Sequence, residues 1–212
     1  MNCTRPASVA LIGLLLTGCA HREFDEAGGL KVVRSTCPAV AIPAYTGDVT
    51  LFSPEQSQDA RAFDVGATIT NLRTQCDESG AVVKANVNFD VVARRASASG
   101  ARDVTLPYFV TVMRGGTKIM SKQESRVSIH FDDGQLRGVG RAVGGAEIQK
   151  SLASLPPNVF QRLNRKRKAT DADASIDPMA DPQIRASVNQ ANFELLIGFA
   201  LNDSQLAYNA TK

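Results

Sequence analysis

Tryptophan is absent from the 212 residues, histidine occurs twice, and aromatic side chains make up only 6% of the chain. Two histidines and four cysteines leave a thin donor set for a zinc centre. No apolar run approaches the roughly eighteen residues of an ordinary membrane-spanning helix. Excess charge is also missing: a formal net charge of +3 does not by itself point to nucleic acid. An apolar fraction of 43% is nevertheless enough for a core, which excludes a wholly disordered chain.

The first residues read as an address. Arg5 precedes the apolar stretch Val9–Leu16, the small residues Thr17 and Gly18 follow, and Cys19 comes next. A charged start, a short apolar stretch and small residues at a cleavage point predict a secretory signal over residues 1–18. Its eight-residue stretch would give about 12 Å of helix against a hydrocarbon core of ~30 Å. Leu16-Thr17-Gly18-Cys19 resembles the lipobox of bacterial lipoproteins. That resemblance implies cleavage before Cys19, a diacylglycerol on the Cys19 thiol and acylation of the new amine. Two or three chains anchor stably where one holds only marginally. In that class an Asp after the lipidated Cys favours the inner membrane; Ala20 therefore points to the periplasmic face of the outer membrane, with the inner membrane as the alternative. Residues 19–29 are read as anchor and tether and 30–212 as the folded domain. The polar tether from His21 to Gly29 reaches at most about 30 Å.

With Cys3 removed and Cys19 lipidated, Cys37 and Cys76 remain, and an even pair in an oxidising compartment reads as a disulfide. Two buried free thiols are the alternative. A redox pair does not fit, because there is no C-x-x-C and neither Cys adjoins a His.

Hydropathy alternates with period two through most of the domain. Val83, Ala85, Val87, Phe89, Val91 and Ala93 share one face of a strand whose other face carries Lys84, Asn86, Asn88 and Asp90. Residues 64–76 read as the preceding strand, with a bulge near Thr70-Asn71 where the apolar side switches, and Asp77-Glu78-Ser79-Gly80 as a hairpin turn. Asp103–Arg114 alternates again, and Pro107 suggests an edge or a strand start. Gly115-Gly116 predicts a hairpin, and a return strand ends at Asp132-Asp133-Gly134. Gly138, Gly140, Gly144 and Gly145 read as turns or bulges. Residues 146–155 fit a helix or a short strand, of which the strand suits an all-β context better. Phe193–Leu201 reads as a strand buried on both faces, followed by a helix cap at Asn202-Asp203-Ser204. The expectation is an all-β, immunoglobulin-like sandwich of 7–8 strands, immunoglobulin-like in architecture only, with a long polar insertion at about 156–192 before the last strand. Asp181-Pro182 looks like an N-cap inside that insertion.

Catalytic signatures are sparse. His21 falls in the tether, and His130 falls on the polar face of a strand. There is no G-x-S-x-G. Asp171-Ala172-Asp173 begins like a calcium loop, but Ile176 stands where glycine is needed and Pro182 where glutamate is needed. No catalytic residue, metal ligand or cofactor is assigned. The sharpest feature is the basic run Arg162, Arg165, Lys166, Arg167 and Lys168, a candidate contact for an anionic surface, followed by Asp171, Asp173, Asp177 and Asp181. The alternative is a solvated loop whose charges cancel.

Cys37-Pro38-Ala39-Val40, with Cys76, and the ending Phe193 to Asn209 resemble small proteobacterial envelope lipoproteins without an assigned activity. The basic insertion departs from that pattern. The reading is a membrane-anchored structural or protein-interaction module, with an envelope protein as partner and no nucleic acid. A small-ligand carrier or sensor and an envelope enzyme are the rival readings. The enzyme reading requires His130 to meet carboxylates in a cleft; the carrier reading requires room between the sheets.

Overall fold

A computed structural model describes residues 35–212. Cys3, Cys19 and His21, with the expected signal and tether, lie outside the described residues. The strands are β1 (Ala39–Ala41), β2 (Asp48–Phe52), β3 (Phe63–Asp77), β4 (Val82–Arg95), β5 (Arg102–Arg114), β6 (Lys118–Phe131), β7 (Arg137–Gln149) and β8 (Phe193–Phe199). They form two four-stranded sheets, ordered β1-β8-β5-β6 and β2-β3-β4-β7. β1 runs parallel to β8, and the other pairs are antiparallel. The expected two-sheet sandwich is present. β2, β3 and β4 form a meander within one sheet, which β7 completes.

Alternation decides which side of each strand is buried. Val83, Val87 and Val91 of β4 are wholly buried, while Lys84, Asn86 and Asn88 face water. Phe89, Phe131, Phe199, Leu106 and Ile197 fill the space between the sheets. The bulge lies where the switch of sides placed it: the β3–β4 register shifts between Thr70 and Arg73, and Asn71 adopts φ 56°. Pro107 is not a strand start. It sits inside β5, and its carbonyl accepts from Ala200 just beyond the last β5–β8 pair, Tyr108 with Phe199. The missing N–H therefore falls where the neighbouring strand has ended. Gly115 and Gly116 take φ of 63° and 72° in the β5–β6 turn, a conformation that favours glycine.

The glycines at 138, 140, 144 and 145 correct the sequence reading. They are neither turns nor bulges but interior residues of β7, paired with β4 along its length. A Cβ on Gly138 would stand 2.7 Å from the His130 carbonyl oxygen, and one on Gly140 would stand 2.8 Å from that of Ser128. Glycine here lets the β7 backbone close onto β6 of the opposite sheet. Residues 146–155 also divide. The strand continues to Gln149, after which the chain turns into the short helix α1 (Lys150–Ala153) and exposes Leu152.

The insertion carries α2 (Pro157–Asn164) and α3 (Pro182–Ala191). Asp181 caps α3 as expected, its carboxylate accepting from the Gln183 N–H with Pro182 at the first position. After β8, α4 (Asp203–Thr211) opens with a capping box between Asn202 and Gln205. The buried Asn209 amide of α4 donates to the carbonyls of Tyr45 and Asp48, which pins the helix to the β1–β2 connection.

The sandwich has two distinct ends. At one, Cys37 is bonded to Cys76, joining the chain before β1 to the end of β3 with 6.2 Å between their Cα atoms. At the other, the β4–β5 and β6–β7 loops meet around Arg95. Fourteen residues of β4 separate these ends by roughly 45 Å.

Candidate interaction surface

The disulfide end is assembled from distant parts of the chain. The Thr36 hydroxyl and N–H and the Ser35 hydroxyl donate to Glu78 Oε2 at 2.7, 2.8 and 3.1 Å. These bonds, the Thr36 hydroxyl first, hold the Glu78 carboxyl below its ordinary range. Lys150 Nζ donates to the Glu78 carbonyl and the Lys150 N–H to that of Ala81, so the insertion begins against the same turn. It ends against the β5–β6 turn at the same end: the Gly115 N–H donates to the Asn192 carbonyl, the Arg114 guanidinium donates to the Gln190 carbonyl, and Phe193 pairs with Arg114.

The structure brings most of the predicted basic run against the aspartates that follow it. Arg165 lies 2.5 Å from Asp173, Arg162 lies 2.8 Å from Asp181, and the Arg167 guanidinium donates to the Ile176 carbonyl at 2.9 Å. The Lys168 N–H donates to Asp171. The Asp181 carboxyl is held below its ordinary range by the Gln183 N–H and then by Arg162. These arginines fold the insertion on itself, and much of their charge is met within the loop.

His130 does meet carboxylates, but on an open face. Its Nδ1 lies 2.7 Å from Asp103 and its Nε2 lies 3.3 Å from Asp132, with the side chain 57% exposed. Asp103, by hydrogen bond and charge, raises its pKa, and Asp132 adds to the effect. The His130 ring lies between these two carboxylates on an open strand face rather than in a cleft. Among the described residues no group of three His, Cys, Asp or Glu is placed to hold a metal ion, and no helix is long and apolar enough to cross a membrane.

Sequence reasoning missed Arg95, which is only 2% exposed. Its guanidinium donates to the carbonyls of Gln135, Gly100, Ala98 and Asp132 at 2.7–2.9 Å and lies over the Phe131 ring. The signal was present: continuing the inward alternation of β4 past Ala93 arrives at Arg95.

An open region lies between β6 and β7, which are edge strands of the two sheets, as β1 and β2 are on the other side. β6 and β7 touch near Gly138 and Gly140 and part toward the disulfide end. Residues Lys118–Arg126 of β6 are exposed on both faces. Open grooves of about 660 and 710 Å³ lie between this half of β6 and the Gly144–Gln149 half of β7. Asn86 and Gln123 border both grooves, presenting amides that donate and accept. Two unpaired backbone edges lie beside these amides and the charged side chains of Lys84, Glu124 and Glu147, a lining that can accommodate an extended peptide.

No family model, curated protein or solved structure matches this chain.

Proposed function

We propose that the protein is a lipid-anchored periplasmic envelope protein, acylated at Cys19 and held at the periplasmic face of the outer membrane, that works as a structural or protein-interaction module without catalysis. The parted edges of β6 and β7 carry this reading, because they leave strand-addition sites open on an otherwise well-packed sandwich. The Cys37–Cys76 bond supports an oxidising compartment. The Leu16–Cys19 resemblance to a lipobox supports the anchor. The partner class is an extended segment of another envelope protein. A ligand held between the sheets has less support, because aromatic and aliphatic side chains fill that space.

The test has two arms. Mass spectrometry of the wild-type and Cys19→Ser proteins reads whether acyl mass depends on Cys19; an unacylated wild-type chain overturns the anchor. A photo-crosslinking residue at Gln123, in the open half of β6, should capture a discrete envelope protein, whereas the same residue at Val92, exposed on the outer face of β4 and away from both grooves, should capture less. A chain that crosslinks to nothing from either site is not an interaction module.

A further inference from the structure

The insertion, the β5–β6 turn and the point where the described chain begins all sit at the disulfide end. That end also holds five of the eleven large apolar side chains left in water among the described residues. Ile119 and Met120 open β6, Leu152 lies in α1, Phe160 in α2, and Ile176 in the loop before α3; all are among the exposed large hydrophobic residues. Phe160 is 54% exposed and Ile176 is 57% exposed. Met120 and Leu152 border one groove, and Ile176 lies beside Arg162 and Arg165. Scattered exposed apolar residues need no explanation, but several gathered at one end mark a contact surface.

We infer that this end is the membrane-facing surface of the protein, with Phe160 and Ile176 dipping into the interfacial layer of the bilayer. The inference rests on lipidation at Cys19 as proposed above. The occupant follows from where the chain arrives. Ser35 is sixteen residues beyond Cys19, and sixteen residues reach at most about 55 Å. Turning the Arg95 end to the bilayer would use nearly all of that reach merely to run back along the roughly 45 Å of the sandwich. The disulfide end needs almost none of it. Charge is compatible as well: residues 156–192 hold six cations against four aspartates. Because several arginines are met within the loop, the cations orient the contact, and the exposed apolar tips make it. The open grooves between β6 and β7 then face sideways along the membrane, within reach of a neighbouring envelope protein.

The absence of tryptophan supplies the experiment. Phe160→Trp and Ile176→Trp each create a sole tryptophan at this end, and Leu136→Trp creates one in the β6–β7 turn at the other. The full, acylated chain is reconstituted into vesicles of phosphatidylethanolamine and phosphatidylglycerol, with and without bromine on the acyl chains. Emission from Phe160→Trp and Ile176→Trp should fall in the brominated vesicles, and that from Leu136→Trp should not. Equal emission from both ends, or quenching of Leu136→Trp alone, overturns the inference. So does a Phe160→Trp signal that is unquenched in pure vesicles and shielded only in whole envelopes, which would assign the surface to a protein. Acyl mass on Cys19, read separately, tells this failure from failure of the anchor itself.

Discussion

Arg95 occupies an inward position at the end of β4, where the core gives way to loops. Its guanidinium satisfies four carbonyls that the β4–β5 and β6–β7 loops turn inward, so one side chain sets the conformation of both. Arg95→Met keeps a side chain against Phe131 but deletes every donor. It should cost about 3 kcal/mol in urea unfolding, since hydrogen bonds to a charged group exceed neutral ones. Arg95→Lys should recover little, because one ammonium cannot span the same carbonyls. His130 offers a test in pH. Asp103 and then Asp132 raise its pKa above the ordinary value near 6.5. A group raised on folding gives its full stabilisation below the unfolded value and loses it as pH rises through the folded one. Asp103→Asn should lower the His130 midpoint toward 6.5, read from its ring protons by NMR. An unchanged midpoint would mean that Asp103 does not set it.

At the scale of elements, β7 shows how a strand can hide. Its inward positions hold Gly138, Gly140, Ala142 and Gly144, so no hydrophobic alternation announces it. The need for small residues comes from β6 of the other sheet, which passes within van der Waals distance. Gly140→Ala would place a Cβ 2.8 Å from both the Ser128 carbonyl and a Val127 methyl. Overpacking of this kind should destabilise by about 1–3 kcal/mol, visible as a lower urea midpoint with an unchanged slope. β4 lies at the opposite extreme. Buried on one face and wet on the other, it states its own register, and its hairpin with β3 follows from the turn residues. β1 and β2 were not legible, because three and five residues are too few for a period to stand out.

At the scale of the molecule, the disulfide joins the two sheets at the end where the insertion folds. It closes a separation of 39 residues. Cys37→Ser with Cys76→Ser should cost about 3–4 kcal/mol by the loop-entropy relation, measured against wild type in urea. The double variant should also loosen Ser35 and Thr36 from Glu78, readable as faster amide exchange at Thr36.

The sequence by itself determined the faces of β3, β4 and β5 and the helix caps at Asp181 and Asn202, placed the insertion along the chain, and favoured a Cys37–Cys76 disulfide over two free thiols. These follow from local spacing, which a period of two or a cap residue carries within a few positions. Only the tertiary structure decided that Lys150 meets the Glu78 turn, that most of the basic run folds onto its own aspartates, and that β6 and β7 part into open edges. Those outcomes depend on which distant segments share an end of the sandwich, and strand pairing across many tens of residues sets that arrangement.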